Sequence, residues 1–196
     1  MKIIFATKNI GKLEEMRKIL SGFQVVSAFE AGIEEDVVED KETFVENALK
    51  KARFIHEKVG GIVIADDSGL CIKALDGAPG VYSARWAGEN SSDQDKIKKT
   101  LSELVNIPKE ERQAYFESAA VLILEDGSEH IFDDKVFGSI SFEPHGIPLP
   151  KLPYDSIFIP SGYDKTFAEM SPEDKNSMSH RGLAFKKLKE FLISIR

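Results

Sequence analysis

The sequence predicts an α/β fold with a central mixed, twisted β-sheet flanked by helices, because three features of the chain favour that class. Over the first 65 residues, short apolar runs alternate with amphipathic patterns, which is typical of parallel strands joined by helices. Residues 114–142 contain two long strand-like runs around Asp126-Gly127, a common hairpin dipeptide. The composition, with 42% apolar and 30% charged residues among 196, is that of a globular protein.

The alternating pattern at the N-terminus predicts three strands and two helices. The strand runs are short, continuous and rich in β-branched and aromatic residues, and they lie at 2–7, 23–28 and 62–65. Between the first two runs, apolar residues recur at helical spacing from Leu13 to Leu20. A capping-box pattern from Thr43 to Glu46, in which a hydroxyl and a carboxylate each accept from a backbone N–H, begins the second helix, and Gly60-Gly61 ends it.

The remaining residues predict a second lobe and a helical C-terminus. A turn-rich segment at 76–88 precedes a helix at 93–105, and the long hairpin follows it. Four prolines between Glu143 and Pro153 indicate a loop. We expect a single domain, 1–196, whose second lobe spans roughly 75–145 and includes the hairpin. The last helix is expected to turn four residues toward the core: Ala184, Leu188, Phe191 and Ile195.

Charge and composition exclude several classes of partner. The formal net charge of −7 argues against a surface for polymeric DNA or RNA, which normally shows a basic excess. A small anionic ligand remains compatible with it, because local lysines can oppose the overall sign. The single cysteine, Cys71, excludes an internal disulfide. No apolar stretch is long enough to span a bilayer and the N-terminus lacks a signal-peptide pattern, so we expect a cytoplasmic protein without a membrane partner.

The first candidate binding segment follows the first strand, where Thr7-Lys8-Asn9-Ile10-Gly11-Lys12 leads into a helix. A helix N-terminus favours anions, because its free N–H groups and its dipole both attract negative charge. The hydroxyl and amide side chains of this segment add neutral donors, and its lysines add positive charge. The glycine spacing is not that of a P-loop. A phosphate site and an ordinary turn with surface lysines are both compatible with these residues.

The second candidate is the acidic pair Asp66-Asp67 at the predicted end of the third strand. Ligands of open α/β sheets bind beyond the carboxyl ends of the strands, so this pair and the first segment are expected to share a rim. Adjacent carboxylates repel each other unless a cation separates them, and Mg²⁺ takes oxygen ligands from one or two carboxylates plus substrate phosphates. Glu39 offers a further acidic ligand. The alternative is a solvated turn in which Asp66 caps the following segment.

The third candidate lies near the C-terminus, where Lys175 is followed by Ser179-His180-Arg181-Gly182. Arginine binds phosphate or a base edge through its planar fork, and lysine binds phosphate as a point charge. The alternative is ordinary charge on a helix surface.

Six segments, in this order and over most of the chain, resemble the inosine/xanthosine triphosphate pyrophosphatase family: TKNIGK, TFVENALKKA, ADDSGL, GAPGVYSARWAG, KTFAEM and SHRG. The resemblance implies a magnesium-dependent homodimer with an elongated, two-lobed α/β fold and an active-site cleft between the lobes. It also implies hydrolysis of non-standard purine nucleoside triphosphates (ITP, dITP and XTP) to the nucleoside monophosphate and pyrophosphate.

By matching positions, the same resemblance implies roles for individual residues. Asp67 would be the general base and a Mg²⁺ ligand, Glu39 would be a second acidic ligand, and Asp66 would support them. The triphosphate would be bound by Lys51 together with the segment from Thr7 to Lys12. The other substrate contacts implied are Ser68, Leu152, Pro153, Tyr154, Asp155, Lys175, His180 and Arg181.

One segment departs from the family pattern. The family form GFGYDPIF corresponds here to KLPYDSIF, so Leu152 takes the position of an aromatic residue expected to stack on the purine. Base–aromatic stacking contributes about 1–3 kcal/mol, and leucine retains the apolar contact while losing part of that energy. Two alternatives stay open: a pyrophosphatase for other modified nucleotides, and a non-catalytic nucleotide-binding sensor.

Overall fold

The computed structural model describes every residue from Met1 to Arg196 and contains six strands and five α-helices. The strands are β1 (Lys2–Phe5), β2 (Gln24–Ser27), β3 (Ile62–Ile72), β4 (Gln113–Ile123), β5 (Glu129–Ile140) and β6 (Phe158–Pro160). The α-helices are α1 (Ile10–Ile19), α2 (Phe44–Val59), α3 (Asp93–Glu103), α4 (Pro172–Met178) and α5 (His180–Ser194).

The strands form one mixed sheet in the order β2-β1-β3-β4-β5-β6. Strand β1 is parallel to both β2 and β3, and the connections between these strands contain α1 and α2. Strands β4 and β5 are neighbours joined by the turn at Asp126-Gly127, and β6 pairs antiparallel with β5. The predicted α/β class, the mixed sheet with flanking helices and the long hairpin are therefore confirmed.

Local hydrogen bonds explain where α2 begins and ends. The Thr43 hydroxyl oxygen accepts from the Glu46 N–H at 3.2 Å, which satisfies one orphan donor of the first turn. Gly60 ends the helix at a φ of 60°, a backbone conformation that glycine adopts without steric cost, and its N–H bonds the His56 carbonyl. The predicted helix is confirmed. The Glu46 side chain differs from the expectation, because its carboxylate accepts from the Thr43 hydroxyl at 2.8 Å.

Strand β3 is longer than the sequence predicts, since it continues from Ile62 to Ile72 instead of ending at Ala65. The charges of Asp66 and Asp67 indicated a turn, yet both residues lie inside the strand with exposures of 1% and 5%. Cationic side chains on α1 and α2 lie beside these carboxylates, so tertiary pairing overrides the low strand propensity of aspartate. The prediction that the acidic pair lies at the end of the strand is wrong.

The C-terminal helix α5 buries a slightly different set of residues from the one predicted. Ala184 and Leu188 are fully buried as expected, and Phe191 packs at the margin of the core. Leu192 is also buried, whereas Ile195 is 44% exposed because the helix ends one residue before it. The prediction for Ile195 is therefore wrong. None of the helices combines the length and the apolar character needed to cross a membrane.

The chain divides into two compact units, each with its own core. The first unit contains residues 1–67, 118–134 and 180–196. Its core packs β1 and β3 against α1 and α5 on one face of the sheet and against α2 on the other. The second unit contains residues 68–117 and 135–179, and its core includes apolar residues of β4, β6 and α3.

A glycine in the second unit provides a test of how closely β5 and β6 must pack. A Cβ atom at Gly138 would lie 2.2 Å from the Ile159 carbonyl oxygen and 2.7 Å from Cζ of Phe158. Because a backbone atom cannot move aside, we expect Gly138→Ala to lower the free energy of unfolding by about 1–3 kcal/mol. Urea denaturation followed by circular dichroism measures this change. Ser139→Ala, the neighbouring position in β5, is the matched control, and equal stabilities of the two variants would contradict the expectation.

Candidate active site

The N-terminus of α1 lies in the segment predicted to bind phosphate. Asn9 caps the helix, because its Oδ1 accepts from the Lys12 N–H at 3.1 Å. Thr7 stabilises the preceding turn, with its Oγ1 accepting from the Asn9 N–H at 3.1 Å. The helix therefore begins at Ile10, which is exposed, and continues through Gly11, which is buried. The first-turn N–H groups of a helix have no acceptors within it, so this end of α1 is chemically suited to an anion.

An acidic loop, defined here as residues 34–42, is bound to the first unit by lysine side chains. Lys8 Nζ donates to the Glu34 carbonyl at 2.9 Å. Lys50 Nζ donates to the Val38 carbonyl at 2.8 Å from the exposed side of α2. These contacts anchor the loop at two separate points.

The two adjacent aspartates of β3 are directed to opposite faces of the sheet, as successive residues of a strand must be. Asp66 shares the face of Ile64, which packs against α1 and α5, and its Oδ2 lies 2.8 Å from Lys12 Nζ. Asp67 lies on the α2 face, where its Oδ2 accepts from Asn47 Nδ2 at 3.1 Å. The two carboxylates therefore face different helices of the first unit.

Lys51 is the cation that the acidic groups share. Its Nζ donates to the Glu39 carboxylate and to the Asp66 carbonyl, and it lies 4.0 Å from Asp67 Oδ1. Burial alone would lower the pKa of Lys51, but the charges of Asp67, Glu39 and Asp66 outweigh it and raise that pKa. Lys51 is therefore protonated throughout the physiological range.

The protonation behaviour of the two aspartates differs because their surroundings differ. Burial would raise the pKa of Asp66, but the positive charges near it, with Lys12 the strongest, hold the pKa below its ordinary value. At Asp67 burial prevails: helped by the negative charge of Glu39 and opposed by Lys51, it raises the pKa to about 6. The surroundings of Asp66 thus favour its ionised form, whereas those of Asp67 favour its protonated form more than water does.

The predicted residues His180 and Arg181 lie in the first turn of α5, in the same unit as the acidic pair. Arg181 is buried, and its Nε lies 2.6 Å from Oε2 of the buried Glu15 on α1. Its charge also contributes to the low pKa of Asp66. The structure thus groups Arg181 with the acidic pair, in the first unit.

Six of the residues predicted to contact the substrate lie in the second unit. Lys175 and Asp155 form a buried ion pair, with Nζ 2.5 Å from Oδ2. The Tyr154 hydroxyl donates to the Ser83 carbonyl at 2.8 Å, and its ring packs in the core, where burial raises its pKa. Three further predicted residues also belong to this unit, with Leu152 and Pro153 buried and Ser68 half-buried.

Two buried polar residues of the first unit were missed by the sequence analysis. Asn47 lies on the apolar stripe of α2 beside Phe44 and Ala48, and Glu15 precedes the buried Met16 of α1. A polar residue at a core position of an amphipathic helix must be hydrogen-bonded, so the helical spacing of Asn47 indicated that it has partners without indicating which residues they are.

The donor atoms present are suitable for a divalent cation. The carboxylates of Glu39 and Asp67 both face the ammonium of Lys51, so hard oxygen ligands already surround one positive charge. No group of three or more His, Cys, Asp or Glu residues in the structure forms a complete metal site. Mg²⁺ is commonly held by one or two carboxylates together with substrate phosphates, and this donor set fits such a shared arrangement.

Comparison with known proteins adds an independent line of observation. The model of the Ham1 family matches residues 3–191. The chain is 44% identical over 195 residues to a dITP/XTP pyrophosphatase of Thermoanaerobacter pseudethanolicus, covering 98% of this chain and 97% of that protein. It is 45% identical over 191 residues to a dITP/XTP pyrophosphatase of Bacillus subtilis, covering 96% of each chain.

Solved structures of Ham1 proteins also match nearly the whole chain. A Ham1 protein from Staphylococcus aureus superimposes with a TM-score of 0.87 at 37% identity, covering 100% of both chains. A HAM1 protein from Coxiella burnetii gives a TM-score of 0.87 at 36% identity, covering 99% of both chains.

Proposed function

Because the chain belongs to the Ham1 family, we propose that it hydrolyses non-standard purine nucleoside triphosphates, namely dITP, ITP and XTP, to the nucleoside monophosphate and pyrophosphate. The relatives named dITP/XTP pyrophosphatase match it over nearly its whole length, and the family resemblance drawn from its motifs is confirmed. The observation in the structure that best supports this chemistry is the buried Asp67 carboxylate, whose Oδ1 lies 4.0 Å from Lys51 Nζ and whose Oδ2 accepts from Asn47 Nδ2.

Asp67 is the general base in this proposal. Its Oδ1 takes a proton from a water molecule whose oxygen attacks the α-phosphorus, and the bond from that phosphorus to the bridging oxygen breaks as pyrophosphate leaves. A base is most effective when its pKa lies near the working pH, and burial moves the pKa of Asp67 upward in that direction. Asp66, held as an anion, keeps Lys12 in place.

The triphosphate is assigned to the N-terminal segment from Thr7 to Lys12, because the free N–H groups of α1 and nearby positive charges favour phosphate oxygens. Lys8, Lys12 and Lys51 stabilise the charge of the leaving pyrophosphate. Mg²⁺ is the proposed cofactor, with Glu39 and Asp67 as its protein ligands; when bound, it would neutralise phosphate charge.

A panel of nucleotides tests the reaction and the choice of substrate together. With Mg²⁺ present, dITP, ITP and XTP are expected to yield monophosphate and pyrophosphate far faster than ATP or GTP, and EDTA is expected to stop the reaction. Ion-exchange chromatography identifies the products. Faster turnover of a modified pyrimidine triphosphate would instead indicate a pyrophosphatase for other nucleotides. Binding without turnover would indicate a sensor and overturn the proposal.

Several features remain predictions from the sequence. They are the homodimer, the cytoplasmic location, the extent of a single domain, and the substrate contacts at Ser68, Leu152, Pro153, Tyr154, Asp155, Lys175, His180 and Arg181.

A further inference from the structure

Asn47 is a buried polar residue of the first unit to which the proposed mechanism gives no role. Its side chain is 0% exposed and lies on the core-facing stripe of α2. An amide with two donors and an acceptor is costly to bury unless its hydrogen bonds are made, so its partners indicate why it occupies a core position.

The Asn47 amide bonds two separate parts of the first unit. Its Oδ1 accepts from the Lys41 N–H at 3.0 Å, and its Nδ2 donates to the Lys41 carbonyl at 3.3 Å. The same Nδ2 donates to Asp67 Oδ2 at 3.1 Å. A carbonyl and an ionised carboxylate only accept hydrogen bonds, so the orientation of the amide is determined by its partners.

These bonds affect both acidic groups of the site. Lys41 lies two residues after Glu39 in the acidic loop, so the amide limits where that loop can place its carboxylate. At Asp67, Oδ2 is engaged by Asn47, while Oδ1 lies 4.0 Å from Lys51 Nζ. Lys51 itself is four residues after Asn47, on the same face of α2.

We propose that Asn47 is a positioning residue that orients the Asp67 carboxylate through Oδ2 and holds the Glu39 segment at a fixed distance from it. This inference rests on the proposed role of Asp67 as general base. In this arrangement Oδ1 is the oxygen that receives the proton from water, and the acidic loop cannot move without breaking the bonds to the same amide.

If Asn47 had only a structural role, its removal would affect the protein differently from the removal of a residue that orients Asp67. A substitution of Lys50 distinguishes these two roles. Lys50 binds the same acidic loop, through the Val38 carbonyl and the Asp40 carboxylate, both at 2.8 Å, but it has no contact with Asp67. If Asn47 only anchored the loop, Lys50→Met would have a comparable effect. If Asn47 orients Asp67, its removal alone would affect the chemical step.

The test measures kcat and KM for dITP in Asn47→Ala, Asn47→Asp, Lys50→Met and Asp67→Asn. Loss of a residue that orients a metal or catalytic ligand typically costs about 10–100-fold, and we expect that loss in kcat for both Asn47 variants with KM changed less than about threefold. Lys50→Met is expected to retain its kcat within about twofold. Thermal unfolding shows which Asn47 variant is folded, and the kinetics are taken from that variant.

A second readout uses the protein without metal or nucleotide. Hydrogen exchange of the Lys41 amide, which donates to Asn47, is expected to be at least about tenfold faster in Asn47→Ala than in Lys50→Met. Near-normal kcat in the folded Asn47 variants, with Asp67→Asn inactive, would overturn this inference alone. Near-normal kcat in Asp67→Asn would overturn the proposed general base and this inference with it. Equal losses of kcat in Lys50→Met and Asn47→Ala would mean that Asn47 only anchors the acidic loop.

Discussion

Asp67→Asn is expected to lower the turnover of dITP by about 10²–10⁴-fold, the usual contribution of a general base, while leaving a folded and more stable protein. The amide side chain has the same shape and still offers an oxygen to Asn47 Nδ2. It cannot take a proton from water and is a weaker ligand for a divalent cation. Activity and stability should therefore change in opposite directions.

The gain in stability follows from the raised pKa of Asp67. Its folded value of about 6 lies above the ordinary value of 3.8, so the folded state binds the proton more tightly than the unfolded state. The stability contributed by that proton is complete below pH 4 and is lost as the pH rises through 6. At pH 8 the ionised group costs about 1–3 kcal/mol, which Asp67→Asn removes.

Two measurements check this prediction. Thermal unfolding of metal-free protein should show a higher midpoint for Asp67→Asn at pH 8 and little difference from wild type near pH 4. Steady-state release of pyrophosphate gives the loss in turnover. A variant that is active, or that is destabilised at pH 8, would contradict the role assigned to the Asp67 carboxylate.

Lys51→Met is expected to lower the free energy of unfolding by about 3–5 kcal/mol at pH 8, because it removes the shared cation from a buried acidic group. Glu39 and Asp67 would then face each other without the ammonium between them, and turnover should also fall. Lys51 lowers the pKa of Asp67, so the variant should bind the Asp67 proton even more tightly than wild type does. The loss of stability should therefore shrink as the pH falls from 8 toward 5.

Urea denaturation at pH 5 and pH 8 measures this difference. Lys50→Met, one residue earlier on the exposed side of α2, is the matched control and should leave the stability nearly unchanged at both values. A loss in Lys51→Met that is independent of pH would mean that lost packing, rather than the uncompensated carboxylates, causes the instability.

The order of strands and helices was predictable because local patterns and tertiary structure agree over most of the chain. The β1–α1–β2–α2–β3 alternation and the turn at Asp126-Gly127 each depend on short-range chemistry that sequence reports directly. The length of β3 was not predictable in this way. Its acidic pair has low strand propensity and is accommodated by cations from α1 and α2, which are distant in sequence.

The sequence indicates the residue types of the candidate site and less of how they are connected. The segment from Thr7 to Lys12, Lys51 and Glu39 were selected from motifs as candidates, and the structure places Glu39 against Lys51. Asn47 was missed because it stands among apolar residues of α2, where the pattern indicates only burial, and Glu15 was missed because it lies outside the apolar stripe of α1. Asn47 bonds Asp67, which is 20 residues away in the sequence, and Glu15 bonds Arg181, which is 166 residues away. The spacing of residues along one helix cannot reveal such partners.

The alternation of Asp66 and Asp67 across β3 makes the proposed catalytic arrangement depend on the alignment of the sheet. Ile62, Val63 and Ile64 of β3 lie opposite Ile3, Ile4 and Phe5 of β1. A slip of one residue would turn every side chain of β3 to the other face. Asp66 would then point away from Lys12 and Asp67 away from Asn47, so a compact chain could form without the contacts of the candidate site. Recovery of activity during refolding therefore reports correct strand register more stringently than recovery of secondary structure does.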